Sequence, residues 1–272
     1  MMWAAIAVLT VLILSFAFYI FALKGRTGFA DWEPFNKVSF AHRGLHNEKL
    51  PENSLGAFKE AKFRGYGVEF DVHLLSDGTL AVFHDSDLLR MTGKEGKIED
   101  LTANDLKAYR LNETEKKIPS FDEVLEVFDN NEPLIIELKA VGNNVAALCK
   151  TVCDKLDSYK GVYCLESFDP RCVAWLKKNR PDVLRGQLAE NYFKTNSKLP
   201  FLLKFVCGAL ITNVITRPDF VAYRYSDRKS LAFVLCRKFW KIKGVVWTLK
   251  FEDEHRNAVE EGLISIFVNF LP

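Results

Sequence analysis

Short apolar runs alternate with amphipathic helical stretches from residue 38 to the end of the chain, and this alternation restricts the fold more than any other feature. Nine runs have strand character: residues 38–42 (VSFAH), 67–72 (GVEFDV), 79–85 (TLAVFHD), 133–139 (PLIIELK), 161–168 (GVYCLESF), 183–189 (VLRGQLA), 219–225 (DFVAYRY), 245–249 (VVWTL) and 263–270 (LISIFVNF). Strands separated by helices need crossover connections, which give a parallel sheet covered on both faces. Ser76-Asp77-Gly78 is a turn signal between the second and third runs, so the third is expected to fold back as a hairpin. The other eight predict a closed TIM-type (β/α)8 barrel, for which the roughly 235 residues of 37–272 are a suitable length.

The helices between these runs have legible ends. Asn53 and Ser54 can cap SLGAFKEAKFRG, and Ser120 with Glu123 makes a capping-box pattern before FDEVLEVF. Asn143 and Asn144, Asp169-Pro170, and Glu252 with Asp253 open three more. Residues 86–118 are polar and irregular, and predict a small insertion over one barrel end.

Ahead of the barrel, Trp3 to Leu23 holds no charged residue and is followed by Lys24 and Arg26. About 20 apolar residues cross a bilayer core as a helix. A cleavable signal peptide would want a basic start and a shorter apolar core. Residues 1–26 are therefore expected to be a transmembrane anchor of a single-pass protein. Lys24, Arg26 and Lys37 lie after the span, so the catalytic body is expected on the cytoplasmic side. The six cysteines form no C-x-x-C pair and sit in apolar surroundings, as buried thiols do in a reducing compartment. A net charge of +2 gives no basis for nucleic-acid binding, and no protein partner is indicated.

Two later segments bear on the membrane. Residues 199–215 (LPFLLKFVCGALITNVI) carry one charge, and are either ordinary barrel packing or a further membrane contact. Residues 224–243 mix seven basic side chains with Phe233, Phe239 and Trp240, which suits either a solvated barrel helix or an anionic leaflet.

The chemistry-bearing side chains gather where strands end, the face on which barrel enzymes build their sites. His42 and Arg43 follow the first strand: an imidazole moves protons near neutral pH, and a guanidinium forks onto phosphate. Glu69 and Asp71 are two apart on one strand, hence on one face roughly 6.6 Å apart. Their apolar neighbours Val68, Phe70 and Val72 take the helix-facing side, which turns both acids into the barrel. Like charges there are costly unless a cation or hydrogen bonds compensate them. His84 ends the accessory strand, beside Asp85, and is a candidate acid/base partner for His42. Glu137 and Lys139 repeat the two-residue spacing, adding a third carboxylate and a second cation for phosphate. An all-oxygen ligand set favours Mg²⁺ or Ca²⁺ over zinc. Trp247, near the end of a late strand, either lines the site or fills the core.

Taken in order, His-Arg-Gly, Pro-Glu-Asn-Ser, Glu-x-Asp-Val, Ser-Asp-Gly, His-Asp, Ile-Pro-Ser-Phe-Asp-Glu-Val-Leu, Glu-x-Lys and Trp-Thr strongly resemble the glycerophosphodiester phosphodiesterase family over about residues 40–272. The resemblance implies Glu69, Asp71 and Glu137 as metal ligands, and His42 and His84 as the general acid/base pair. It implies Arg43 and Lys139 as phosphate holders, Glu52 and Asn53 as neighbours of the metal shell, and Trp247 as a wall for the glycerol or leaving group. It also implies a small-molecule or lipid phosphodiester as substrate. The chain departs from the family in Leu75-Ser76-Asp77-Gly78, where many members have Thr-Lys-Asp-Gly, and in Val268-Asn269-Phe270, where many have Ile-Thr-Asp. Two rivals remain: a phosphatidylinositol phospholipase C-type enzyme, and a catalytically silent membrane-anchored binding module.

Overall fold

The computed structural model describes residues 1–29, 31–129, 132–195, 197–268 and 270–272. Its strands are β1 (Phe40–His42), β2 (Gly67–Leu74), β3 (Leu80–Val82), β4 (Leu134–Leu138), β5 (Tyr163–Ser167), β6 (Arg185–Ala189), β7 (Phe220–Arg224), β8 (Lys243–Leu249) and β9 (Ile264–Phe267). The helices are α1 (Met2–Ala22), α2 (Glu33–Asn36), α3 (Leu55–Phe63), α4 (Leu89–Thr92), α5 (Phe121–Phe128), α6 (Val145–Leu156), α7 (Pro170–Asn179), α8 (Phe201–Gly208), α9 (Asn213–Thr216), α10 (Leu231–Lys238) and α11 (Glu252–Glu260).

All the strand pairs are parallel except β2–β3. The sheet runs β1-β9-β8-β7-β6-β5-β4-β2-β3, and an added β1–β2 pairing closes eight strands into a ring. This is the expected TIM-type barrel, with β3 as the expected hairpin strand outside it.

Strand alternation divides the apolar side chains into two layers. One face of each strand turns in, and Phe40, Ile135, Cys164, Leu188, Phe220, Ala222, Val245, Ile264 and Ile266 fill the barrel, with Phe35 of α2 as a plug. The other face carries Ala41, Val68, Phe70, Ile136, Leu165, Val221, Val246 and Phe267 against the helices. Parallel register aligns the inward positions of neighbouring strands: His42 with Glu69, Asp71 with Glu137, and Glu137 with Glu166. The register therefore brings acids together that are far apart in sequence.

Local signals operate as their chemistry requires. The Ser54 hydroxyl accepts from Ala57 N at the start of α3, and Ser120 with Glu123 forms a reciprocal capping box on α5. The segment after β3 is less irregular than its sequence suggests, because Leu88, Met91, Ile98, Leu106, Leu111 and Ile118 close a small apolar cluster with Phe83. Residues 199–215 break into two short helices, α8 and α9, with Leu210 between them at φ 56°. Eight residues of helix rise about 12 Å, too little for a second membrane span. The basic segment 224–243 contributes α10, which buries Ala232, Phe233 and Cys236 as a barrel helix does.

Candidate active site

The site starts from a turn. After β1 the chain reverses through Arg43 (φ 55°) and Gly44 (φ 80°). A Cβ on Gly44 would stand 2.9 Å from the Ala57 carbonyl carbon, so glycine follows from close packing against α3. The turn leaves Arg43 N donating to the Glu69 carbonyl (2.8 Å) and reaching a Glu69 carboxylate oxygen (3.2 Å). Its guanidinium donates to Glu52 (2.9 Å) and lies 3.5 Å from Asp71.

Glu69, Asp71 and Glu137 are buried, and one oxygen of each lies within 4.8 Å of the other two. Asn53 donates its Nδ2 to Asp71 Oδ2 (2.8 Å), while its own buried Oδ1 has no hydrogen-bond partner among the described residues. The Lys139 ammonium lies 2.7 Å from Glu137 and 3.0 Å from Asp71. Burial and the neighbouring acids push Glu69 well above the usual carboxylate range, and burial also raises Glu137. Asp71, although its burial opposes ionisation, is drawn well below that range by Lys139, His84 and Arg43. Lys139, again against burial, is held charged by Asp71 and Glu137. Converging carboxylates that pay this electrostatic cost, beside an unpartnered amide oxygen, fit a hard divalent cation with oxygen ligands.

The two imidazoles occupy different settings. His42 Nε2 lies 3.9 Å from Glu69 Oε2, and burial, reinforced by Arg43, depresses its pKa well below the ordinary value. His84 sits two residues past the end of β3, in the loop and not on the strand itself. Its Nδ1 is 2.6 Å from Asp85 Oδ1, and Arg90 donates to the other Asp85 oxygen (2.5 Å). Despite partial burial, His84 and Arg90 hold Asp85 well below its usual range. An ionised carboxylate only accepts, so Nδ1 carries the proton and Nε2 is left for chemistry. Arg90 also donates to Glu52 (2.7 Å), which links the Asp85 and Arg43 ends of the site.

His42, Arg43, Glu69, His84, Glu137 and Trp247 line one cavity. Asp71, Lys139, Asn53 and Glu52 join it through the contacts above. Trp247 both touches the interior cluster and walls the cavity, with its ring edge-on to Phe168 at 5.4 Å.

Four further residues take part here, each with a weaker sequence signal than those named above. Glu166 lines the cavity with a buried, unpartnered Oε2, and burial beside Glu69 and Glu137 raises its pKa well above the usual range. Its place in YCLES, two positions from an inward Cys164, would have revealed it. Phe168 extends the Trp247 wall. Arg90 clamps Asp85 and Glu52. His73 continues the inward face of Glu69 and Asp71, pairs with Glu99 (2.8 Å) and reaches the His84 carbonyl (3.2 Å), steadying the His84 loop. Asn269, where the chain departs from the family's common ending, lies outside the described residues.

A family model described as the glycerophosphoryl diester phosphodiesterase family matches residues 42–271. The chain belongs to that family. Among family relatives, a glycerophosphodiester phosphodiesterase of Bacillus altitudinis is 36% identical over 107 residues, covering 37% of this chain and 43% of that protein. The human lysophospholipase D is 30% identical over 181 residues, covering 62% of this chain and 52% of that protein. The first of these matches spans less than half of its relative's length and the second about half. A solved phosphodiesterase of Oleispira antarctica, in complex with the product sn-glycerol-3-phosphate, superposes with a TM-score of 0.69 at 23% identity. The superposition covers 85% of this chain and 92% of that one, and supports the barrel fold. The glycerophosphodiester phosphodiesterase of Thermotoga maritima gives a TM-score of 0.65 at 26% identity, over 85% and 94% of the two chains.

Proposed function

We propose that this chain hydrolyses a glycerophosphodiester or lysophospholipid-type diester, releasing an alcohol and leaving glycerol 3-phosphate or a phosphorylated lipid. The observation that carries the reading is the trio of buried carboxylates within 4.8 Å of one another in a cavity that also holds two imidazoles. Family membership supports it, as do the names of relatives: the human one is a lysophospholipase D, and the Oleispira protein was solved with sn-glycerol-3-phosphate.

In this reading Glu69, Asp71 and Glu137 hold Mg²⁺ or Ca²⁺, with Asn53 fixing Asp71 and Glu52 fixing Arg43. The cation, when bound, supplies positive charge for the phosphate oxygens and for the extra charge of the transition state. Arg43 and Lys139 supply the rest from the protein. His42, kept neutral by burial, takes the proton from the attacking hydroxyl, which belongs either to water or to the glycerol 2-position. His84, oriented by Asp85, gives a proton to the departing alkoxide. If the 2-hydroxyl attacks first, a cyclic phosphate forms and water then opens it, with the two imidazoles exchanging roles. Trp247 and Phe168 flank the glycerol or the leaving group.

The same reading takes α1 as a single-pass membrane anchor with the catalytic body in the cytoplasm. It rests on the 21-residue apolar helix, exposed along nearly its whole length, and on the basic residues that follow it. The deciding experiment is hydrolysis of a panel running from glycerophosphocholine to lysophospholipids, with Mg²⁺ or Ca²⁺ present and then chelated. Divalent-dependent release of glycerol 3-phosphate or a lysophosphatidic acid supports the assignment. Metal binding without turnover on any member would leave the silent-module alternative, and cleavage confined to inositol phospholipids would favour the phospholipase C-type one.

A further inference from the structure

Helix α8 is unusual for a barrel helix because none of its residues is buried. Phe201, Leu202 and Phe205 are 78, 67 and 51% exposed, and Phe193, 51% exposed, packs its ring 5.3 Å from that of Phe201. A contiguous apolar surface of this kind on a soluble body marks an interaction site. Residues 191–218 around it contain Lys194, Lys198, Lys204 and Arg217 and no Asp or Glu, although Lys194 also pairs with the buried Asp227 (3.0 Å).

The position of this face suggests what covers it. The end of α1 is docked, not tethered by a loose linker, and its contacts run from the C-cap of α8 to the residues that follow α9 and α10. Tyr19 donates its hydroxyl to the carbonyl of Ala209, the residue that caps α8 (3.3 Å). Arg217 donates to the Phe21 and Lys24 carbonyls (3.0 and 2.8 Å), and Trp240 Nε1 to the Ile20 carbonyl (2.7 Å). From Phe18 back to Met2 the helix leaves the body and is exposed. A bilayer entered by α1 therefore begins beside Ala209, and α8 extends only about 12 Å from there.

We infer that α8 and Phe193 form an apolar lip that seats in the bilayer leaflet from which α1 emerges, with the lysines of 194–204 against anionic headgroups. The inference rests on the anchor reading above. An apolar helix face flanked by lysines is the composition that buries at the headgroup–acyl boundary of anionic membranes. Ring contacts connect the neighbourhood of the lip to the wall of the catalytic cavity. Tyr192, next to Phe193, stands 6.5 Å from Phe168, which faces Trp247 in the cavity wall. A lipid diester drawn from that leaflet would follow this aromatic path, and its tail would remain against α8.

The test uses the full chain with Cys207→Ser, reconstituted in phosphatidylcholine vesicles containing phosphatidylserine. The remaining cysteines are buried. An environment-sensitive fluorophore is placed through Leu202→Cys, or, as a reference, through Glu115→Cys, whose native side chain is fully exposed on the insertion. The label at 202 should be quenched by spin-labelled acyl chains and shielded from aqueous iodide, with the label at 115 behaving in the opposite way. If carbonate washing leaves the chain in the vesicles while the label at 202 is quenched by iodide as at 115, the lip is overturned and the anchor stands. Loss of the chain in carbonate overturns both. Shielding at 202 from both quenchers, together with cross-linked dimers, would mean that a second copy covers α8, and would overturn the lip as well.

Discussion

In the proposed scheme Asp85 acts only through its neighbour. One of its oxygens receives His84 Nδ1 and the other receives Arg90, which leaves His84 Nε2 as the ring nitrogen available to the proposed reaction. Replacing His84 with Ala removes the proposed general acid and should lower kcat on glycerophosphocholine by about 10²–10⁴. A loss smaller than about tenfold would take His84 out of the reaction scheme. His42 makes a separate prediction about pH. Burial first, then Arg43, depress its pKa, so the neutral, proton-accepting form persists below the ordinary value of 6.5. A cation held by Glu69 would push it in the same direction. Activity limited by this base is retained as pH falls through 6.5 and declines only as pH passes the depressed pKa. The acid limb of a kcat/KM profile should therefore lie below 6.5. An acid limb at or above that value, unmoved by raising the concentration of the divalent cation, would mean that some other group takes the proton.

At the scale of elements, a glycine gives the Phe220 ring its room where β6 and β7 pair inside the barrel. Gly186 faces Phe220, and a Cβ there would stand 2.2 Å from the ring. Phe220 is fully buried among interior side chains and has no room to yield. Gly186→Ala should destabilise the barrel by about 1–3 kcal/mol. In a domain of this size each kcal/mol moves Tm by roughly 2–4 °C, so a calorimetric melt reads it directly, and an unchanged Tm would contradict the packing described. This level of organisation was partly legible in the sequence. The nine strands announce themselves because both faces of a barrel strand are covered, so each is a short apolar run bounded by turn residues. The trio Glu69, Asp71 and Glu137 stands out because acids interrupt such runs. Glu166 does the same in YCLES, but its partners come from register across strands, which sequence spacing does not display. The small core of the insertion is hidden because Leu88, Met91, Ile98, Leu106, Leu111 and Ile118 are too far apart in sequence to show a strand or helix period within any one short window. The break between α8 and α9 is hidden inside an unbroken apolar run, and depends on Leu210 taking a left-handed backbone.

At the scale of the whole molecule, the question is whether α1 and the barrel behave as one body, since the proposed lip requires α8 to keep a constant distance from the anchor. Arg26, four residues beyond α1, provides the fastening. It forms two close contacts with Asp219 (2.6 and 2.7 Å) and donates to the carbonyls of Pro181 and Val183 (2.5 and 3.1 Å). Asp219 is almost wholly buried, whereas Arg26 retains 22% exposure. Removing one partner of a buried pair costs about 3–5 kcal/mol when the survivor is stranded. Here the survivor keeps a second donor, Arg185 N at 3.0 Å, and water reaches the place that Arg26 leaves, so Arg26→Ala should cost less, about 1–3 kcal/mol. Because the pair joins the anchor's root to the start of β7, the loss should appear twice in detergent-solubilised protein. Tm should fall by roughly 2–12 °C. Limited proteolysis should also begin to cut between α1 and β1, where the unaltered chain should resist. The double substitution Arg26→Met with Asp219→Asn removes the stranded carboxylate but also the acid beside the buried Arg185, so it should recover part of the lost Tm without restoring that resistance. Recovery of both would mean that the ion pair stabilises the barrel but does not hold the anchor, and α8 would then be free to move relative to the membrane. An unchanged Tm with Arg26→Ala would mean that the close contacts contribute nothing, and that the docking of residues 19–24 joins the two parts.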